Sequence, residues 1–113
     1  MRSPKRIRAL TALAAASALS LQALAGQCRL PPVPSRIPDG STSNQQQMVV
    51  AMDTIRQYNS DVRTYLDCLK FEVRQKELST VDQMTLHNTA INQLTRVADA
   101  FNRQVRIFKA KHG

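Results

Sequence analysis

The chain has 113 residues and a formal net charge of +8, from 16 lysines and arginines against eight aspartates and glutamates. This length allows one domain at most and excludes a multidomain protein. A core this small is only marginally stable by itself, so we expect a disulfide or another external support.

The first predicted element is an export signal. Basic residues at the amino terminus precede an uncharged run rich in alanine and leucine over residues 9–25. The run ends in Ala23-Leu24-Ala25, a small-x-small cleavage pattern, so we predict a signal peptide over residues 1–25. A transmembrane anchor is the alternative, but the run is short for a bilayer core of about 30 Å. Cleavage would leave a mature chain of charge +4 in the periplasm, with full secretion as the alternative.

A proline-rich segment of residues 26–42 follows and carries Cys28. Its prolines exclude a helix or a central strand and favour an extended backbone. Cys68 is the only other cysteine, and export places both in an oxidising compartment, so we predict a Cys28–Cys68 disulfide. Gln27 argues against a lipidated Cys28, because lipidation needs a small residue at that position. A zinc site is the alternative to the disulfide, but the cysteines and histidines lack paired ligand spacing.

Two long helices are predicted within residues 43–113, over residues 43–76 and 80–111, because no proline or glycine interrupts this segment before its last residue. The short break between them folds the second helix back antiparallel on the first. Capping boxes start the helices at Thr42 and at Thr80, with Ser79 as the alternative for the second helix. The predicted fold class is therefore all-α, an antiparallel two-helix hairpin with the proline-rich segment as a disulfide-tethered strap.

Apolar residues recur every three or four positions in both predicted helices, as in a coiled-coil seam. The seam of the second helix comprises Met84, His87, Ile91, Leu94, Ala98, Phe101, Val105 and Phe108. The strap is long enough to run back along the first helix, which places Val33 near Tyr58 and Leu30 near Tyr65. A loose tail, pinned only at its cysteine, is the alternative.

No catalytic, cofactor or metal-binding motif stands out. His87 lies in the predicted seam without a nucleophile to pair with it, and the carboxylates are scattered among basic residues. We therefore predict a non-catalytic binding or structural protein with no cofactor and no metal site. Nucleic acid is excluded as a partner, because export separates the two and basic residues do not alternate with aromatic ones.

Apolar residues outside the seam predict a surface for a protein partner, since two helices cannot cover both sides of each other. The predicted partner face comprises Val50, Phe71, Val97 and Ile107. Its partner would be a second copy, giving a four-helix homodimer, or another envelope protein. The alternative function is adsorption to anionic envelope lipid or polymer through Arg103, Arg106, Lys109 and Lys111. Those four residues would otherwise serve only to stabilise the helix C-terminus.

Three short motifs carry a resemblance to a known group of proteins. Cys28 precedes Pro-Pro-x-Pro and Pro-Asp-Gly runs, Tyr65-Leu66-x-Cys68-Leu69 lies in the first helix, and Phe-Asn-x-Gln-Val-Arg begins at Phe101. Together they resemble a family of small, uncharacterised exported proteins of proteobacteria. The resemblance covers nearly all of the mature chain. It implies a Gram-negative envelope setting and no particular activity.

Overall fold

The computed structural model describes residues 28–113, and the predicted signal peptide lies outside them. Helix α1 spans Gln45–Arg74 and helix α2 spans Thr80–His112. The two helices pack against each other, and an extended segment of residues 28–44 precedes them. The predicted all-α two-helix hairpin is confirmed. Within residues 28–113, neither helix has a stretch long and apolar enough to cross a bilayer.

Helix α1 begins two residues later than predicted, because a turn occupies the backbone before it. The Asp39 carbonyl accepts from the N–H groups of Thr42 (3.2 Å) and Ser43 (2.9 Å). The predicted cap at Thr42 is therefore wrong. Asn44 and Gln47 form the capping box instead, each side chain accepting from the other residue's backbone N–H at 2.8 Å.

The connection between the helices begins with a C-terminal cap that has no glycine. Lys76 has φ 61°, a left-handed conformation that costs a residue other than glycine about 1 kcal/mol. In return the N–H groups of Lys76 and Glu77 satisfy the last carbonyls of α1, Val73 O at 3.0 Å and Glu72 O at 2.9 Å. Ser79 is the N-cap of helix α2, and its hydroxyl accepts from the Asp82 N–H at 3.0 Å. Of the two predicted registers for this start, the one at Ser79 is present.

The buried core lies between the helices and under the strap. Its members are Met48, Tyr58, Val62, Tyr65, Leu69, Ala90, Val97 and Phe101. The predicted seam of α2 is therefore partly wrong, since Met84 is 64 % exposed while Ala90 is fully buried. The small alanine side chain allows α1 to approach closely, and the strap adds burial on that flank of the hairpin.

The strap is held at both of its ends. At one end Cys28 is bonded to Cys68, with their Cα atoms 5.7 Å apart, which confirms the predicted disulfide. In the middle Ile37 packs against the core. At the other end the buried Gly40 donates its N–H to Gln104 Oε1 of α2 at 2.8 Å. The strap thus runs along α1 and ends against α2.

Candidate interaction surfaces

A concavity lies between the strap and α1, and we call it the strap groove. Its volume is about 1000 Å³. It is lined by Pro32, Val33, Pro34, Ser35, Arg36, Pro38, Ser43, Gln46, Gln47, Val50, Ala51, Thr54, Gln57, Tyr58 and Asp61. Val33 and Tyr58 lie on the same groove, as the predicted strap register requires. Residues of both the strap and α1 line this concavity, so two helices without the strap would not form it.

The strap groove does not assemble a recognisable catalytic constellation. Asp61 is its only lining carboxylate, and that carboxylate accepts from Gln57 Nε2 at 2.8 Å. His87 and His112 are not among the lining residues. Within residues 28–113, no cluster of three or more histidine, cysteine or acidic side chains is placed to hold a metal ion.

Raising the pH above about 10 is expected to destabilise the fold through its two buried tyrosines. Burial raises the pKa of the Tyr58 hydroxyl, and burial with a smaller effect of the Glu72 carboxylate raises the pKa of Tyr65. The folded state therefore favours the neutral phenols. Their stabilisation is complete below the unfolded-state value of 10.0 and is lost as pH rises through the higher folded-state pKa values. Urea unfolding at rising pH, followed by circular dichroism and phenolate absorbance, measures this loss.

The matched control is Tyr58→Phe, which removes one of the only two tyrosines. The Tyr58 hydroxyl is buried and has no hydrogen-bond partner among residues 28–113, so phenylalanine should retain stability at neutral pH. It should also reduce the alkaline loss. Phenolate absorbance that appears near the ordinary tyrosine pKa while the helices remain folded would contradict this interpretation.

The hairpin has a second edge that the strap does not cover, and we call it the open edge. On α1 it comprises Ile55, Asn59 and Leu66, and on α2 it comprises Ile91, Leu94 and Ala98; all six side chains are half-buried. Cys68, which holds the strap, lies about 160° around α1 from Leu66 at 100° per residue. The open edge is therefore a stripe of half-buried side chains, apolar except for Asn59, on the flank away from the strap, and Ile55, Leu66 and Leu94 also pack against the core.

A hollow of about 440 Å³ lies in the middle of the open edge. It is lined by Ile55, Arg56, Asn59, Leu94, Thr95, Ala98 and Asp99, and it shares no residue with the strap groove. The small side chain of Ala98 leaves it open.

Opposite charges border this hollow on its two sides. Arg56 of α1 and Asp99 of α2 are both exposed. Arg56 Nη1 lies 3.9 Å from Asp53 Oδ1 within the same helix, and both side chains are about 70 % exposed. Such a solvated pair contributes little to stability, so Arg56 remains available to a partner's carboxylate.

The predicted partner face does not form one surface. Val97 is only 7 % exposed and belongs to the core, so its assignment to a partner face is wrong. The other three residues are exposed but scattered. Val50 lines the strap groove, Phe71 lies near the loop with the Arg74 guanidinium 5.8 Å from its ring, and Ile107 lies near the end of α2.

The basic residues at the end of α2 are exposed but do not share a face. They are Arg103, Arg106, Lys109 and Lys111. At 100° per residue their side chains spread over roughly 200° of the helix circumference. Their charge also acts within the chain, since Lys111 contributes to lowering the pKa of Asp39 after the larger effect of hydrogen bonds from Ser41. A one-sided cationic surface is therefore not formed.

Comparison of the chain with models of protein families, with curated proteins and with solved structures finds no match in any of the three. The strap groove and the open edge are therefore the features from which a function can be inferred. Sequence reasoning missed the open edge because it placed Ile91, Leu94 and Ala98 in the centre of the seam. Asn59 is a polar residue among the regularly spaced apolar residues of α1. It was the one signal in the sequence that this part of the helix is not fully buried.

Proposed function

We propose that the mature chain is an exported, non-catalytic helical module that binds a protein partner through its open edge. One observation carries this proposal: the strap covers only one of the two edges of the hairpin. The other edge keeps a stripe of six half-buried side chains, five of them apolar, with a hollow at its centre. Apolar stripes of this kind on helical hairpins are ordinarily buried against a further helix.

Two further features support an exported structural module. The Cys28–Cys68 disulfide suits an oxidising compartment such as the periplasm. It also fixes the strap, and with it the choice of which edge stays open. A surface made on two long helices is rigid, so little conformational entropy is lost on binding.

A photoreactive amino acid placed at neighbouring positions of α2 tests the proposal. Thr95 lines the hollow, whereas Arg96 is exposed, lies about 100° further around the helix and does not line it. In cells that express the full chain with its leader, we expect protein adducts from position 95 and far fewer from position 96. The two positions share expression level, export and depth along the helix, so the comparison isolates the open edge. Equal adduct yields, or none at position 95, would contradict the proposal.

The alternative function, adsorption to anionic lipid or polymer, receives less support. Arg103, Arg106, Lys109 and Lys111 together spread over roughly 200° around α2, and a membrane-surface helix instead gathers its charges on one side. Salt-sensitive retention of the mature chain on anionic vesicles would favour the alternative.

A further inference from the structure

We infer that the partner on the open edge is a second copy of this chain, arranged about a two-fold axis parallel to the helices. The inference rests on the proposed function, because it names the occupant of the same surface. It is carried by the charges on the two sides of the hollow and by the dimensions of the edge.

Arg56 and Asp99 make the open edge complementary to itself. Both line the same hollow, so they lie at one level along the hairpin, Arg56 on the α1 side and Asp99 on the α2 side. A two-fold axis parallel to the helices places α1 of one copy against α2 of the other at an unchanged level. Arg56 of each copy then meets Asp99 of its partner, and the same contact forms twice, as in an isologous interface.

The charges also disfavour the other simple two-fold arrangement that is centred on the hollow. An axis across the helices in the plane of the interface would place α1 against α1 and therefore Arg56 against Arg56. Juxtaposed like charges disfavour that arrangement. Only the parallel axis pairs opposite charges at both sites.

The apolar contacts agree with the same arrangement. Ile55 and Ala98 line the same hollow, so the parallel axis brings Ile55 of one copy opposite Ala98 of its partner. The larger side chain can enter the space that the alanine leaves. Every neighbouring pair of helices in the resulting four-helix bundle is antiparallel, the usual packing of such bundles.

The whole side of the hairpin on which the open edge lies is large enough for a stable dimer; the six residues of the open edge occupy about 17 Å of its length. Helix α1 has 30 residues and α2 has 33, which gives a shared length of about 45 Å at 1.5 Å per residue. Two helices side by side present a face about 20 Å wide, or about 900 Å² in all. A standard protein interface buries about 800 Å² on each partner.

Sedimentation of the oxidised mature chain at micromolar concentration tests the inference, with two charge reversals and their combination. We expect a two-copy mass for the wild type. Arg56→Glu and Asp99→Arg should each raise the dimer dissociation constant about tenfold or more, because each creates two like-charge contacts. The combined variant should return to near the wild-type constant, since both pairs are again opposite in sign.

Arg96→Glu is the matched control, because it makes the same charge change on α2 outside the hollow and should leave the dimer intact. Circular dichroism confirms that each variant is folded. A monomeric wild type at these concentrations would overturn the inference, and so would a dimer that responds equally to Arg56→Glu and Arg96→Glu. A position-95 adduct with a different protein, together with a monomeric purified chain, would show that the partner is not a second copy of this chain. The proposed function, binding of a protein through the open edge, would then be retained. Absence of any position-95 adduct would instead remove the proposed function itself.

Discussion

Breaking the Cys28–Cys68 disulfide is expected to remove most of the stability of the fold. The bridge closes a loop between residues 40 apart in sequence, and the chain-entropy estimate for such a loop is about 4 kcal/mol. The total unfolding free energy of a domain of this size is about 5 to 10 kcal/mol. The double variant Cys28→Ser/Cys68→Ser should therefore unfold at much lower urea concentration than the oxidised wild type, as measured by circular dichroism.

The two single substitutions and chemical reduction provide the controls. Each single substitution removes the same bridge, so their effects should be strongly non-additive and each should nearly equal that of the double variant. Reductant should lower the stability of the wild type and leave the double variant unchanged. Equal urea midpoints for oxidised and reduced wild type would show that the strap does not depend on the bridge.

The helices and the disulfide could be predicted because local or compartmental rules determine them. The absence of proline and glycine between the strap and the last residue leaves helix as the favoured backbone state, and the three-four spacing of apolar residues indicates which side is buried. With only two cysteines in the chain and a predicted export signal, the pairing of Cys28 with Cys68 has no rival within the chain. The turn at Asp39 and Gly40 also follows from local sequence.

The choice of buried face on α2 could not be predicted, since this helix carries two neighbouring apolar stripes. One contains Ala90 and Val97, and the other contains Ile91 and Ala98. Their periodicity is the same, so sequence pattern alone does not distinguish them. The first stripe is buried in the core, and the second is half-buried on the open edge.

The strap groove and the anchor of the strap on α2 were also beyond sequence reasoning. The anchor depends on a contact between Gly40 and Gln104, which are 64 residues apart. No motif marks a glycine as the point where one backbone meets another. Val97 was placed in the predicted partner face because the sequence pattern did not show that it is buried in the core.

Gly40→Ala is expected to destabilise the fold by about 3 kcal/mol, a large effect for the addition of one methyl group. A Cβ atom at this position would overlap the Gln104 carbonyl oxygen and would lie 2.9 Å from the Phe108 nitrogen. Both atoms belong to the backbone of α2, so neither can move aside as a side chain could. The strap would have to retreat from α2, and the hydrogen bond from the Gly40 N–H to Gln104 Oε1 would be lost with the contact.

Gln104→Ala separates the two contributions, because it removes the hydrogen-bond acceptor without adding any atom at Gly40. It should cost only about 1 kcal/mol, with urea unfolding of the oxidised proteins as the measurement. The sign of the Gly40→Ala effect decides whether the strap is anchored at α2. In an unconstrained turn, replacing glycine by alanine reduces the entropy of the unfolded chain and stabilises a protein by about 0.4 to 1 kcal/mol. A Gly40→Ala variant as stable as the wild type, or more stable, would mean that the strap is held by the disulfide alone, and the open edge would then not be the only edge accessible to a partner.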